Sequence, residues 1–494
     1  MSVKITLGDV TYEQPTQLFI NNEWVDATGG KTIVSVNPAT EEPIATVQAA
    51  SAADVDRAVK AARAAFHGEW AKWTGYERGE LLRRLGEEIK KDFDTLTAVE
   101  AADSGKPRWQ NANYDVDHCI EVYNYYAGWA DKIEGKVTMD NPGRVMYTRH
   151  QPYGVVGQII PWNYPLAMAA WKIAPAIAAG NVVVMKTAEN TPLSMLYFCN
   201  LVKRAGFPPG VFNLLSGYGA EAGNALTGHM DVDKVAFTGS TPVGQAVMAS
   251  AAKSNLKNVT LECGGKSAAV VFDDADIEQA AKWCVEGIMY NMGQVCCATS
   301  RIIVQEKVYE QFIGELKKAC EARTTIGDTF DKNTSHGPQV SSIQFNRVLN
   351  YIAKGKSEGA RCVLGGDRAG NKGYFVQPTI FADVTPEMTI AREEIFGPVV
   401  TVTRFKTFDE GIAIANDSLF GLGGAVFSQN ITQAHKAANA MDTGTVWINS
   451  SNDQDLHLPF GGFKMSGIGS ELGGYGLDAY LHPKSIQINL DSKL

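Results

Sequence analysis

From about residue 51 the chain alternates between two spacings of hydrophobic positions. The stretch 50–66, ASAADVDRAVKAARAAF, repeats apolar residues at helical intervals behind Ser51, a good cap, with Asp54 in the first turn. It predicts an exposed amphipathic helix. Between 155 and 272 the pattern changes to short β-rich runs, VVGQIIP, NVVVMKT, VFNLLSG, KVAFTGS and SAAVVF. Helical segments of about ten to fifteen residues separate them, which implies crossovers in a parallel sheet. A second series follows: RIIVQ, KVYEQFIGELKKACEA, FNRVLNYIAKGKSEGA, VVTVTRFK, FDEGIAIAND and TVWINS. It suffices for a second α/β domain, with ECGGK at 262–266 as the crossover between the two. The expected fold class is therefore α/β, with two doubly wound domains.

Bulk properties narrow the function. A chain of 494 residues exceeds one ordinary core, so two or three domains are expected, and 45% hydrophobic residues can fill them. The net charge of −9 comes from interspersed acids and bases and provides no basic face for nucleic acid or anionic lipid, so small-molecule ligands are expected. The longest apolar stretch, PLAMAAWKIAPAIAAGNVVVM, is broken by Lys172, Pro175 and Gly180. No charged segment followed by an apolar one opens the chain, so it reads as neither secreted nor membrane-spanning. The eight cysteines are sparse and lack metal-site spacing, which predicts no metal and a reducing compartment. Neighbouring Cys296 and Cys297 form only a rare, strained disulfide, so a redox pair is disfavoured. The terminal Ser492-Lys493-Leu494 leaves two readings open: a peroxisomal address, or a fortuitous end on a cytoplasmic chain.

Several motifs fall at predicted strand ends, where open parallel sheets bind ligands. GYGAEAG, from Gly217 to Gly223, is a glycine loop between a strand and a helix and is weak evidence alone. VAFTGSTPVG runs a strand into Gly239, Ser240 and a helix, whose bare amides suit a pyrophosphate. NVVVMKTAE ends in Lys186 and Glu189, a cation and a carboxylate suited to ribose hydroxyls; singly, Lys186 reads as a solvated strand end. In IIPWNYP, Asn163 stands between Pro161 and Pro165, which fix the backbone around its amide, although a turn role is equally open.

Together IIPWNYP, KTAE, FTGST, LECGGKS, GQVCCATSR, EEIFGPV and LPFGGFKMSGIG resemble, in order and spacing, the NAD(P)-dependent aldehyde dehydrogenase superfamily, across essentially the whole chain. The resemblance implies oxidation of an aldehyde to a carboxylic acid. It makes Cys296 the nucleophile and Cys297 a packing neighbour. Sulfur adds readily to an aldehyde, and the resulting thiohemiacetal must lose hydride to become a thioester. Glu262 would be the general base that activates Cys296 or the deacylating water, and its presence argues for hydrolysis. Asn163, with the Cys296 amide, would form the oxyanion hole. A catalytically unused binding or structural descendant is the alternative reading.

The same resemblance assigns Ile159, Pro161, Trp162, Lys186, Glu189, Gly219, Gly223, Phe237, Gly239, Ser240, Glu394 and Phe396 to the cofactor. NAD is expected because Glu189 should repel a 2′-phosphate, with NADP possible through Lys186. Tyr164, Met168, Trp171, Tyr290 and Phe460 would line the substrate channel, with 454–457 near its mouth. Such aromatic walls favour apolar aliphatic or aromatic aldehydes, and no cluster of acids is evident among them. Three positions depart from common family forms: Cys263, Val295 and Ser470. The implied domains are 1–132 with 153–263 for the cofactor, 264–479 for catalysis, and 133–152 with 480–494 as a small β arm that pairs subunits into a dimer or tetramer.

Overall fold

The computed structural model describes residues 2–490, so the terminal Ser492-Lys493-Leu494 lies outside the described residues. Two sheets of largely parallel strands carry the fold. In the first, Asn258–Glu262, Lys234–Thr238, Val155–Ile159, Val182–Lys186 and Phe212–Leu215 lie side by side in that order, all parallel. Val182–Lys186, Phe212–Leu215 and Lys234–Thr238 are buried throughout, as expected of strands covered by helices on both faces. Short antiparallel strands close the sheet: Gly467–Ile468 beside Asn258–Glu262 at one edge, and Leu18–Ile20 followed by Glu23–Val25 beyond Phe212–Leu215 at the other.

The second sheet runs Arg361–Leu364, Thr379–Ala382, Val399–Phe405, Arg301–Gln305, Ala268–Val271, Gly423–Phe427, Thr445–Ile448. All its pairs are parallel except that of Arg361–Leu364. The mixed α/β fold with two parallel sheets is the one expected from the sequence. ECGGK spans the passage between them, from the end of Asn258–Glu262 to the start of Ala268–Val271. Its glycines are dictated by close approach: a Cβ on Gly264 would sit 2.3 Å from Glu394 Oε2, and one on Gly265 2.4 Å from the Cys296 carbonyl oxygen.

The predicted first helix is Ala52–His67, opened by a capping box in which the Ser51 hydroxyl accepts from Asp54 N and Asp54 accepts from Ser51 N. Its buried stripe is Val55, Ala58, Val59 and Ala62. Helix Pro165–Ala179 is buried on every side, which suits a helix apolar all round. A third, three-stranded sheet stands apart. Leu481–Asn489 pairs antiparallel with Arg144–Pro152 over nine residues, and Val137–Thr138 adds to its other edge. It is mostly exposed, with Val137 and Met139 largely open to solvent. No helix among the described residues is long and apolar enough to cross a membrane.

Candidate active site

One cavity of about 510 Å³ gathers most of the residues singled out in the sequence. Pro161, Trp162, Asn163, Tyr164, Met168, Trp171, Gly239, Ser240, Glu262, Tyr290, Cys296, Glu394, Phe396 and Phe460 all line it. Ring contacts divide the lining into two groups. Trp162 meets Phe396 edge-on at 5.2 Å, on the side of the glycine-rich strand ends. Elsewhere Trp171 meets Phe460 at 5.4 Å and His118 at 5.9 Å, while Tyr114 meets His118 and Tyr290. Gln454 lines the cavity as expected, but His457 is exposed and packs on Tyr125 instead.

The loop that carries Cys296 owes its shape to three consecutive left-handed residues: Asn291 (φ 47°), Met292 (φ 54°) and Gly293 (φ 70°). Two of them carry side chains, which prefer right-handed backbone by about 1–2 kcal/mol each, so neighbours must hold the loop. Gln294 does much of this: its Oε1 accepts from Val340 N at 2.9 Å and its Nε2 donates to the Asn291 carbonyl at 3.4 Å. Asn163 Nδ2 donates to the Gln294 carbonyl at 2.9 Å, two residues before Cys296. The anchored amide and the thiol loop are thus one hydrogen-bonded unit, with the second N–H of Asn163 left over. The Cys296 main-chain N–H makes no hydrogen bond among the described residues.

A hydrogen bond with Cys297, followed by burial, holds the Cys296 thiol well above the ordinary range, so the resting group is protonated. Glu262 is buried, and its carboxyl is pushed well up by desolvation first and by Glu471 next, with Lys172 opposing. Glu262 Oε2 has no hydrogen-bond partner among the described residues. Such an orphaned oxygen is costly unless a water or substrate group meets it.

Lys172 and Glu471 were missed as site residues. Lys172, wholly buried in helix Pro165–Ala179, donates to Thr238 Oγ1 at 2.6 Å and to Glu471 Oε1. The available signal was a lone lysine in an apolar helix, which needs a buried counter-ion. Acids are also more numerous than expected: Asp115, Glu286 and Asp453 line the cavity. Asp115 is bound to Lys106 and Glu286 is forked by Arg323, so two of these three charges are already compensated. Their helices, Asn113–Trp129 and Ile277–Met289, give no sequence sign of which face meets the cavity.

Most of the other positions expected to meet the cofactor lie at or just past the ends of neighbouring strands. Lys186 is buried, not solvated; its Nζ donates to the Thr187 carbonyl at 2.9 Å and lies 3.5 Å from Glu189 Oε1. Glu189 Oε1 accepts from Gly219 N at 2.6 Å, and a Cβ on Gly223 would touch the Lys186 stem at 3.8 Å. Phe237 lies under Gly239, where a Cβ would come within 2.5 Å of the ring, and Ile159 ends its strand half-buried. Ser240 caps the 13-residue helix Thr241–Lys253 without a side-chain hydrogen bond, leaving amides free for an anion. Glu394 Oε1 accepts from Gly265 N at 2.9 Å and burial raises its pKa, whereas Glu393 is exposed and bonds Tyr351. A carboxylate for ribose, a bare helix N-terminus for pyrophosphate and a second carboxylate near the thiol fit a dinucleotide. No cluster of metal-ligating side chains occurs among the described residues.

Comparison with known proteins agrees with this geometry. The sequence model of the aldehyde dehydrogenase family matches residues 24–486. An aldehyde dehydrogenase of Emericella nidulans is 53% identical over 485 residues, covering 98% of this chain and 97% of that protein. Aldehyde dehydrogenase [NAD(P)+] 1 of Saccharomyces cerevisiae is 49% identical over 495 residues, covering 99% and 98%. The structure of an NAD+ complex of aldehyde dehydrogenase from Bacillus cereus superposes with a TM-score of 0.95 at 49% identity, covering 97% of each chain. The chain therefore belongs to the aldehyde dehydrogenase family and is an enzyme that oxidises aldehydes with a nicotinamide cofactor.

Proposed function

We propose that Cys296 attacks the aldehyde carbon, Asn163 and the Cys296 amide hold the developing oxyanion, and Glu262 serves as the base. The observation that carries this reading is the meeting, in one cavity, of a thiol, an orphaned carboxyl oxygen and an amide with a spare N–H. Two fixed donors aimed at the carbonyl oxygen stabilise the charge that appears on attack, each by about 3 kcal/mol. A bound nicotinamide would supply the hydride acceptor needed for the thiohemiacetal on Cys296 to become a thioester. Glu262 then takes a proton from water as that water attacks the thioester carbon, and the tetrahedral intermediate collapses to free acid and thiol. Lys172 and Glu471 set the charge behind Glu262, the ammonium favouring its ionised form and the carboxylate opposing it.

Lys186 and Glu189 would hold the adenosine ribose, with Gly219 and Gly223 shaping the loop beside it. Gly239 and Ser240 would hold the pyrophosphate, and Glu394 and Phe396 the nicotinamide ribose, with Ile159, Pro161, Trp162 and Phe237 as walls. The aromatic group of Tyr164, Met168, Trp171, Tyr290 and Phe460 favours apolar aliphatic or aromatic aldehydes. On this reading 1–132 and 153–263 hold the cofactor and 264–479 the catalytic thiol. The exposed sheet of 133–152 and 480–490 then pairs with another copy of the chain in a dimer or tetramer, covering its open edges.

The test is absorbance of the reduced nicotinamide across a panel of aldehydes, with NAD or NADP and with Cys296→Ala as control. Oxidation of benzyl-type and medium-chain aldehydes, abolished by Cys296→Ala, is the expected result. Wild-type rates in Cys296→Ala would overturn the nucleophile assignment.

A further inference from the structure

Beneath the anchored amide lies a buried ionic cluster that the chemistry above does not use. Lys106 follows the left-handed Gly105 that ends helix Phe93–Ser104, and its side chain is entirely inaccessible to solvent. Its ammonium donates to Asp115 Oδ2 at 2.5 Å, to the Asn163 main-chain carbonyl at 2.9 Å and to Glu100 Oε1 at 3.4 Å. It also lies 4.7 Å from the ring centroid of Tyr164, a wall of the substrate channel. Glu100 and Asp115 are as deeply buried, and Glu100 Oε2 has no partner among the described residues.

Stability alone is a poor reason for this arrangement, because apolar side chains of similar volume commonly replace a buried ionic cluster at no loss. What an apolar replacement could not do is donate to Asn163. That carbonyl accepts two hydrogen bonds, from Lys106 on one side and from Asn291 Nδ2 at 3.1 Å on the other. Asn291 is the first left-handed residue of the thiol loop, and its Nδ2 also lies 3.2 Å from the Gln294 carbonyl, which receives the Asn163 side chain. The Asn163 peptide is therefore clamped between the thiol loop and the Phe93–Ser104 and Asn113–Trp129 helices, and among the described residues Lys106 is the only link to those helices through that carbonyl.

We propose that Lys106 is a positioning residue: held by Glu100 and Asp115, it fixes the Asn163 peptide so that the side-chain amide meets the substrate oxygen in register with Cys296. Desolvation acts against the charged ammonium, but the two carboxylates outweigh it and its pKa is raised, so the donor keeps its protons across the working range. The inference rests on the role proposed for Asn163.

The experiment is a double-mutant cycle of Lys106→Met with Asn163→Ala, read as kcat for one aldehyde at saturating NAD, with NAD binding and thermal melting measured alongside. Lys106→Met alone should lower kcat on the order of 10- to 100-fold, as for a reacting group displaced by about 1 Å, while NAD binding stays within about twofold. In the Asn163→Ala background the same change should cost less than about threefold, because the group it positions is gone. Losses that multiply, or an Asn163→Ala loss with Lys106→Met at wild-type kcat, would overturn this role and leave that of Asn163 standing. Wild-type turnover in Asn163→Ala would remove the role of Asn163 and this one with it. Should Lys106→Met fail to fold, Asp115→Asn, which keeps the shape but weakens the hold on the ammonium, enters the same cycle. It should lower kcat several-fold and non-additively; additive losses or unchanged turnover would overturn the proposal.

Discussion

Gly293 ties the thiol loop to the loop that carries Glu394 and Phe396, and Gly293→Ala measures how tightly. A Cβ there would lie 2.1 Å from the Gly397 carbonyl oxygen, 2.2 Å from its carbon and 2.7 Å from Pro398 N. All three are backbone atoms, so no rotamer relieves the clash, and the two loops must separate by about 1 Å to restore ordinary contact. Alanine at φ 70° adds about 1–2 kcal/mol of backbone strain, and the crowding adds about 1–3 kcal/mol. The loop escapes both by moving, which shifts Cys296 against Asn163 and Glu262. A displacement of that size costs on the order of 100-fold in turnover. Steady-state kcat, the burst of reduced nicotinamide in the first turnover and a thermal melt should be measured together. The expected variant melts several degrees lower and loses its burst rate along with kcat. If Gly293→Ala kept kcat within about twofold and melted like the wild type, the close approach of the two loops would have no bearing on the thiol's position.

Two further outcomes follow from the charges. Because Cys296 and Glu262 are both held above their ordinary values, their reactive deprotonated forms gain population as pH rises, so kcat/KM should still be climbing with pH where an ordinary carboxylate is already fully ionised. A profile already flat at pH 6 would contradict the directions of both shifts. At the other end of the site, Glu189→Gln removes the carboxylate that opposes a 2′-phosphate while an amide oxygen can still accept from Gly219 N. The NADP-to-NAD ratio of kcat/KM should rise by about tenfold, since about 1.4 kcal/mol of repulsion is worth that factor; an unchanged ratio would detach Glu189 from cofactor choice.

How legible each part was depended on whether the signal was local. Val182–Lys186 and Lys234–Thr238 announced themselves because strands covered on both faces carry an unbroken apolar run, here Val182 to Met185 and Val235 to Phe237, and Ala52–His67 because its cap and stripe lie within a few turns. The short strand Leu18–Ile20 did not, since three residues are too few to show a period; it turns back on Glu23–Val25 through left-handed Asn21 and Asn22 and joins the large sheet beside distant Leu214. The same contrast governs the site. Cys296, Glu262 and Asn163 sit in motifs whose local order carries the resemblance. Lys172 showed only as a blemish in an apolar run, and its partner Glu471 lies 299 residues away. Glu100, Lys106 and Asp115 carry no local mark of their burial, because spacing alone does not tell a charge facing water from one turned toward another polar group.

Helix Pro165–Ala179 has a mechanical meaning that its burial alone does not convey. Asn163 sits just before its first turn, Met168 and Trp171 line the cavity from its first two turns, and Lys172 follows directly on Trp171. On the reading proposed above, substrate fit, oxyanion stabilisation and the charge beside Glu262 thus share one rod, and a shove on any part of it disturbs all three together. Retuning which aldehyde is accepted is therefore safer from walls that stand on other helices, at Tyr114 of Asn113–Trp129 or Trp283 of Ile277–Met289.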